Sequence, residues 1–176
     1  MSSPDVSIAI ACPEDADILW DLTLQSRIYF KAKKIGGQLS TVATKEMVRN
    51  DIGSWNDPKK YFDALIVRMD NEPVGCMNFV KSHSFYDGRI LFMSRLFLVE
   101  RARGKGIGTK LMKKLASIAK EQNAIIEFML VQDNPEIGFY QKLGAKIVAR
   151  TRYEGIPDFM RYVMRIDREA INQLLE

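Results

Sequence analysis

The stretch Arg103-Gly104-Lys105-Gly106-Ile107-Gly108 combines glycines and cations in a spacing that suits phosphate chemistry. It follows an apolar run from 90 to 99 and precedes a run of helical periodicity that begins near Ile107. The first amides of a helix lack partners within the helix and carry the positive end of its dipole, so they attract anions. Glycines let a phosphate approach this backbone closely because they have no side chain. The spacing therefore predicts a diphosphate held by backbone N–H groups, with Arg103 beside it.

Three known phosphate loops use a glycine turn of this kind. A Walker A loop requires a second glycine five positions after the first, where this chain has Thr109. A dinucleotide-binding turn requires Gly-x-Gly-x-x-Gly near the start of a βαβ unit, and Thr109 again replaces a glycine. The pattern formed by Arg103, Gly106 and Gly108 between a strand and a long helix resembles the coenzyme A loop of the GNAT superfamily of N-acetyltransferases. A plain connecting turn is the structural alternative, although three alternating glycines are a costly way to build one.

A second segment, Asp133 to Ala145, contains Phe139-Tyr140 followed by Gly144. It resembles the GNAT segment Phe-Tyr-x-x-x-Gly-Phe, although Ala145 replaces the final phenylalanine. The asparagine usual in that family corresponds to Asp133 here, and Asn134 follows it. The resemblance implies that Asn134 and Tyr140 contact the cofactor and that Tyr140 protonates the departing thiolate. A tyrosine with an ordinary pKa of about 10 suits a thiolate of pKa about 8.5; a core aromatic is the alternative role.

Periodicity and turn residues predict the elements that position these motifs. The first half should contain a strand at 7–10, a helix from about Pro13 to Phe30, a polar loop, and a short helix that carries Met47, Val48 and Ile52. Tight turns predict an antiparallel meander with strands at 62–69, 74–80 and 89–99. After the long helix, strands at 124–131, 145–151 and 160–166 should accompany helices at 135–143 and 167–175.

The crossover through the long helix should join its flanking strands in parallel, whereas tight turns join antiparallel strands. We expect one α/β domain over residues 1–176. Its mixed sheet should be mostly antiparallel with a central parallel pair, helices on both faces and an extra C-terminal helix. This order, with the glycine turn after the fourth strand, resembles the GNAT fold over nearly the whole chain.

Charge and composition narrow the class of protein. The chain has 26 basic and 22 acidic residues, and the segment 101–120 contains seven basic residues and no acidic one, which favours a polyanion such as coenzyme A. Two cysteines without metal spacing and a single histidine give no reason to expect a metal. No apolar run approaches the ~20 residues needed to cross a bilayer, and the first residues lack signal-peptide features. We therefore expect a cytoplasmic protein that does not associate with membranes.

Within the superfamily, the part of the chain after Ile90 is similar to diamine (spermidine/spermine) acetyltransferases. The shared features are the glycine turn, the segment ending in Phe139-Tyr140 and the late run Arg165 to Glu169. Those enzymes carry acidic residues on the fourth strand, where this chain has Ser94 and Arg95. Their loop after the first helix is also acidic, where this chain has the basic residues Lys31, Lys33 and Lys34. Such a site would repel a polyamine.

The resemblance implies direct acetyl transfer from acetyl-CoA to a neutral amine. Deprotonating a lysine-like amine at pH 7 costs about 4.6 kcal/mol, so a general base or a water chain is needed. Glu127, His83 and Ser94 are candidates, with a paired carboxylate and a surface histidine as the structural alternatives for the first two. Arg95 is a candidate for binding a substrate carboxylate or phosphate; a salt bridge inside the fold is its alternative role.

The oxyanion of the tetrahedral intermediate needs a hydrogen-bond donor. In the family this is a backbone N–H on the fourth strand, which falls at Phe97 or Leu98. The cofactor contacts that the resemblance implies are Phe97, Leu98, Arg103, Gly104, Lys105, Gly106, Ile107, Gly108, Thr109, Asn134 and Tyr140.

The leading hypothesis is an acetyl-CoA-dependent N-acetyltransferase that acts on a primary amine of a small molecule, amino-acid-like or otherwise anionic. A non-catalytic acyl-CoA-binding sensor or partner module is the alternative, because it would keep the glycine turn and need no base. A nucleotide- or nucleic-acid-binding protein is a third hypothesis, but no nucleic-acid motif accompanies the basic helix. The resemblance also implies a homodimer paired through the C-terminal strands.

Overall fold

The computed structural model describes residues 4–32, 62–84, 88–152 and 160–176, and they contain a seven-stranded sheet. The strand order across the sheet is β1-β2-β3-β4-β5-β7-β6, so the last two strands exchange places relative to the sequence. The strands are β1 (Val6–Ile10), β2 (Phe62–Met69), β3 (Glu72–Ser84), β4 (Gly88–Leu98), β5 (Ile125–Val131), β6 (Lys146–Arg152) and β7 (Met160–Ile166).

Neighbouring strands pair antiparallel except β4 and β5, which pair in parallel. The chain reverses between β2 and β3 at Asp70 and Asn71, which both have positive φ; these two residue types tolerate the left-handed conformation better than most. The parallel strands are joined by the long helix α2 (Ile107–Glu121), as parallel pairing requires. The predicted mixed sheet with a central parallel pair is confirmed.

Three further helices lie in the described residues, namely α1 (Ala16–Ala32), α3 (Ile137–Lys142) and α4 (Arg168–Leu175). The turn before α1 is closed by the Asp15 carboxylate, which accepts a hydrogen bond from the Cys12 amide at 2.9 Å. The Asp167 carboxylate caps α4 by accepting from the Ala170 amide at 2.9 Å. In contrast, α2 begins directly after Gly106, which has no side chain to cap it. Its first amides are therefore left to another acceptor.

The helices cover both faces of the sheet. Alternate residues of β2 separate the two cores, because side chains on a strand point to opposite faces. Leu65 and Val67 belong to the large core that includes α2 and α4, whereas Ala64 and Ile66 belong to the smaller core under α1. The expectation of helices on both faces is thus met, and α1 lies on the face opposite α2.

Some boundaries differ from the sequence prediction. β3 continues past Val80 to Ser84 because its ladder with β4 extends that far. α3 begins later than predicted, because the chain first makes a turn at Asn134. The predicted helix carrying Met47, Val48 and Ile52 lies outside the described residues, as do Lys33 and Lys34. In the portion of the chain that the structure describes, no helix combines the length and apolarity needed to cross a bilayer.

Candidate functional site

β4 and β5 are paired along only part of their length. Their parallel register runs from Ile90 with Ile125 to Met93 with Phe128. At this point β4 contains a β-bulge, since its register with β3 shifts by one residue at Ser94. A bulge bends its strand, so the two strands part beyond it. Within the described residues this leaves a main-chain gap between β4 residues 94–98 and β5 residues 129–131, which we call the β4–β5 gap.

The main chain of Leu98 faces the β4–β5 gap. The Val99 amide donates to the Val74 carbonyl at 2.9 Å and therefore points toward β3. Successive amides along an extended chain point to opposite sides, which directs the Leu98 amide toward the gap and the Phe97 amide toward β3. The Leu98 carbonyl accepts from Arg103 Nε at 2.9 Å, in agreement with this direction. Of the two predicted oxyanion donors, Leu98 has the amide direction that the role requires.

The glycine turn forms an open backbone cradle at the start of α2. Gly104 and Gly106 have φ values of 69° and 73°, in the left-handed region that favours glycine. A Cβ atom at either position would meet nothing within 4 Å. Lys105 is exposed, Thr109 is half-buried and Ile107 is buried in the core, which anchors the cradle to the fold. The uncapped amides of α2 and this free space fit the diphosphate of coenzyme A.

Gly108 connects the cradle to α3. A Cβ atom at Gly108 would lie 3.2 Å from Phe139 Cζ, which is closer than ordinary van der Waals contact. Phe139 in turn packs edge to face against Tyr140, with their ring centroids 4.9 Å apart. The absence of a side chain at Gly108 therefore lets α3 approach the first turn of α2, and the two predicted motifs meet through this contact.

Arg103 is held between the glycine turn and α1. In addition to its bond to Leu98, its guanidinium carbon lies 3.7 Å from the centroid of the Tyr29 ring, and 5.8 Å from that of Phe97. The geometry is that of a cation–π contact. Arg103, which the sequence predicts to lie beside the diphosphate, therefore also connects the end of α1 to the cradle.

Tyr140 is buried beside the point at which β4 and β5 part. Its ring centroid lies 4.6 Å from that of Phe128, the last β5 residue paired with β4. Burial, with a smaller contribution from Glu136, raises the pKa of Tyr140 well above its ordinary value. The expectation of an ordinary pKa is therefore wrong, because the phenol lies among Phe128 and Phe139 rather than in water. The phenol stays protonated throughout the physiological pH range.

Asn134 shapes the approach to α3. Its Oδ1 accepts a hydrogen bond from the Glu136 amide at 2.8 Å, which makes an Asx turn directly before the helix. This bond uses one of the two acceptor positions of the side-chain oxygen of Asn134, and the side-chain NH₂ group is a donor for a ligand.

Ser94 and Arg95 lie at the bulge, and the structure gives them different environments. The Ser94 hydroxyl is exposed and donates to the main-chain carbonyl of Asn78 at 3.3 Å. Arg95 is half-buried under α1, where its Nη1 donates to Thr23 Oγ1 at 2.7 Å. Arg95 therefore points to the face of the sheet that α1 covers.

The structure describes the side chain of one of the two remaining candidate bases, Glu127, but not that of the other, His83. Glu127 pairs with Arg165 across β5 and β7, and its Oε1 accepts from Nε at 2.8 Å and lies 2.7 Å from Nη2. The paired role of Glu127 is thus the one that the structure shows. The backbone of His83 pairs with that of Arg89 near the end of β3, but its side chain lies outside the described part of the structure.

Two residues of α1 were missed by the sequence analysis. Thr23 binds Arg95 and Tyr29 binds Arg103, so α1 contacts both candidate arginines. Thr23, Ser26 and Tyr29 recur every three residues, and this polar stripe on an otherwise apolar helix face was the available signal. As for metals, the described residues contain no group of three His, Cys, Asp or Glu side chains placed to hold an ion.

Known proteins resemble this chain in sequence and in fold. Residues 30–145 match the model of the acetyltransferase (GNAT) family, which is more than half of the chain. The thialysine N-epsilon-acetyltransferase of Caenorhabditis elegans is 26% identical over 171 residues, which cover 96% of this chain and 96% of the relative.

Two solved structures share the fold at low sequence identity. The PaiA N-acetyltransferase of Thermoplasma acidophilum, in complex with coenzyme A, superposes with a TM-score of 0.69 at 17% identity, covering 93% of this chain and 99% of that chain. A GNAT acetyltransferase of Streptococcus pneumoniae gives 0.70 at 16% identity, covering 92% and 98%.

The β4–β5 gap lies at the carboxyl ends of two central strands, and the glycine cradle and Tyr140 lie beside it. The family match spans all three. The chain therefore belongs to the GNAT family of acetyl-CoA-dependent acetyltransferases.

Proposed function

We propose that this protein transfers the acetyl group of acetyl-CoA directly to a primary amine of a small, amino-acid-like molecule. The observation that carries the proposal is that an open phosphate cradle, a main-chain gap and a buried phenol meet at one end of the sheet. The curated relative is named for acetylation of the ε-nitrogen of thialysine. That name supports an amino-acid-like acceptor.

The cradle and the gap have complementary roles in this proposal. The uncapped amides of α2 bind the diphosphate, and Lys105 adds positive charge at the rim. The Leu98 amide points into the β4–β5 gap, where it donates to the carbonyl oxygen as negative charge develops there. When bound, acetyl-CoA supplies the activated acyl group.

Tyr140 acts as a hydrogen-bond donor to the departing sulfur. Its raised pKa keeps the phenol protonated, so the donor form is always present. The same shift makes complete proton transfer less favourable than from an ordinary tyrosine. We therefore assign Tyr140 to stabilising developing charge on sulfur, with solvent completing the protonation.

The proton of the attacking amine leaves by another route. The ion pair with Arg165 makes Glu127 a structural carboxylate. The exposed Ser94 hydroxyl at the bulge can relay a proton to water. This arrangement suits an amine whose neutral form is already available, and we expect the rate to rise with pH as the acceptor amine loses its proton.

The test is acetyl-CoA turnover on a panel of amines, followed as free thiol, with mass spectrometry to locate the new amide. We expect acetylation of at least one amino-acid-like amine at a rate well above hydrolysis measured without amine. Tight binding of acetyl-CoA without turnover on any amine would instead support the sensor hypothesis. Stabilisation by ATP or duplex DNA in a thermal-shift assay, with none by acetyl-CoA, would contradict both.

A further inference from the structure

A small polar cluster interrupts the apolar interface between α1 and the sheet. Arg95 of β4 and Asn78 of β3 are cross-strand partners, and α1 places Thr23 and Ser26 one turn apart above them. Their surroundings include the buried side chains of Leu22, Cys76 and Phe97. We call Thr23, Ser26, Asn78 and Arg95 the α1 polar cluster.

The positive charge of this cluster is not neutralised by any carboxylate of the described residues. The nearby charged group is Arg27, which is a second cation, and only a neutral hydroxyl, that of Thr23, accepts the hydrogen bond of Arg95. Burial lowers the pKa of Arg95; the Cys76 thiol raises it, and Arg27 lowers it. The sequence from 22 to 45 contains no acidic residue. A half-buried guanidinium is costly without a counter-ion, and none lies among the described residues, so this arrangement favours the binding of an anion.

Two further polar groups of this interface have no hydrogen-bond partner among the described residues. Ser26 Oγ and Asn78 Oδ1 are buried and form no hydrogen bond within the described residues. Ser26 is only 1% exposed. A serine hydroxyl can donate or accept, whereas the asparagine Oδ1 can only accept. Buried polar groups are almost always paired in proteins, so both atoms lack a partner, and the Ser26 hydroxyl is the one that can donate to a carboxylate.

The bulge places this cluster beside the reaction site. Ser94 is the bulged residue, Arg95 follows it on the α1 face, and the β4–β5 gap opens at the same position. A molecule whose amine enters the gap from the α1 face therefore approaches along the face on which Arg95 lies.

We propose that the α1 polar cluster binds the carboxylate of the acceptor, with Arg95 as the cationic partner and Ser26 as a neutral donor. A guanidinium binds a carboxylate through two parallel N–H···O bonds, which suits an amino acid whose side-chain amine is acetylated. This inference rests on the proposed function and specifies its substrate class.

The experiment compares matched substrates that differ only in the carboxylate. L-lysine is paired with 1,5-diaminopentane, and L-ornithine with 1,4-diaminobutane, and kcat/KM is measured for each with saturating acetyl-CoA. We expect the amino acid of a pair to exceed its diamine. Arg95→Gln should lower kcat/KM for the amino acid by about tenfold to a hundredfold, mainly through KM, and change that of the diamine little. Arg95→Lys should recover part of the preference because it restores the charge without the planar fork.

Arg68→Gln is the matched control. Arg68 binds Asp15 at 2.6 Å and so connects β2 to the turn before α1, away from the gap. Arg68→Gln should alter thermal stability without altering the ratio of kcat/KM between amino acid and diamine. If Arg95 only holds α1 in place, Arg95→Gln will lower stability and affect both members of a pair equally, and the inference is overturned.

The remaining outcomes separate this inference from the proposed function. Wild-type turnover of diamines that equals or exceeds that of amino acids would overturn the carboxylate site and leave the acetyltransferase proposal intact. No turnover of any amine, with acetyl-CoA bound, would overturn both.

Discussion

The proposed cofactor side and the proposed acceptor side of this molecule are built in different ways. The cofactor side, formed by the glycine cradle and Leu98, presents mainly backbone groups, and its geometry follows from two glycines with positive φ and an uncapped helix. The acceptor side, formed by the α1 polar cluster and the Glu127–Arg165 pair, presents side chains from five elements. A backbone site is encoded by a short local pattern, whereas a side-chain site depends on which distant segments meet.

Tyr140→Phe should have the largest effect, because Tyr140 is the side chain that we assign to stabilising charge on the departing sulfur. We expect kcat to fall about a hundredfold, since loss of a hydrogen-bond donor to developing charge costs at least this much. Acetyl-CoA affinity should change little. Tyr162→Phe is the control. The half-buried ring of Tyr162 on β7 packs under Arg150 of β6. An unchanged kcat in Tyr140→Phe would show that the backbone alone performs the chemistry.

Gly106→Ala tests whether the cradle depends on backbone conformation. A left-handed φ strains an alanine by about 1–2 kcal/mol, and the new Cβ projects into the space that the diphosphate would fill. We expect the Kd of acetyl-CoA, measured by calorimetry, to rise tenfold or more. Gly138→Ala, where a Cβ also meets nothing within 4 Å and φ is not positive, should leave the Kd unchanged. An equal effect of both substitutions would argue against the cradle.

Glu127→Gln tests the acceptor side. It removes the charge that pairs with Arg165, which should lower the free energy of unfolding by about 1 kcal/mol and the Tm by about 2–4 °C. The shape of the pH–rate profile should stay the same, because the carboxylate is structural. Arg165→Gln should lower the Tm comparably. A large fall in kcat in Glu127→Gln, with no such fall in Arg165→Gln, would instead identify Glu127 as the base.

Asp15→Asn should have the smallest effect, which appears only in stability. Burial raises the pKa of Asp15, but bonds from the Cys12 amide, Arg68 and the Cys12 thiol outweigh it, so the net pKa is lowered. The stabilisation is therefore present above the ordinary aspartate pKa of about 3.9 and is lost as the pH falls through the lower folded value. Wild type should exceed the variant by about 0.5–1 kcal/mol at pH 7, with the difference shrinking as the pH falls below the ordinary aspartate pKa. Urea unfolding over a series of acidic pH values and at pH 7 measures this.

The sequence was most informative where a local pattern dictates a local shape. The glycine spacing, the turn at Asp70-Asn71 and the crossover through α2 led to the strand pairing that the structure shows. The bulge at Ser94 was not foreseen, because a one-residue register shift depends on how β3 pairs with β4. The Arg103–Tyr29 stacking and the Glu127–Arg165 pair join residues far apart in the chain, and the raised pKa of Tyr140 depends on rings from two elements.

The shortness of the contact between β4 and β5 also bears on how the chain folds. β2, β3 and β4 pair with neighbours in sequence, so each hairpin closes a small loop at low entropic cost. The parallel contact joins Met93 to Phe128 and requires α2 to cross the sheet first. Non-local pairing of this kind forms slowly. The two antiparallel halves should therefore assemble before their junction, and the region that receives acetyl-CoA should be among the last to take shape.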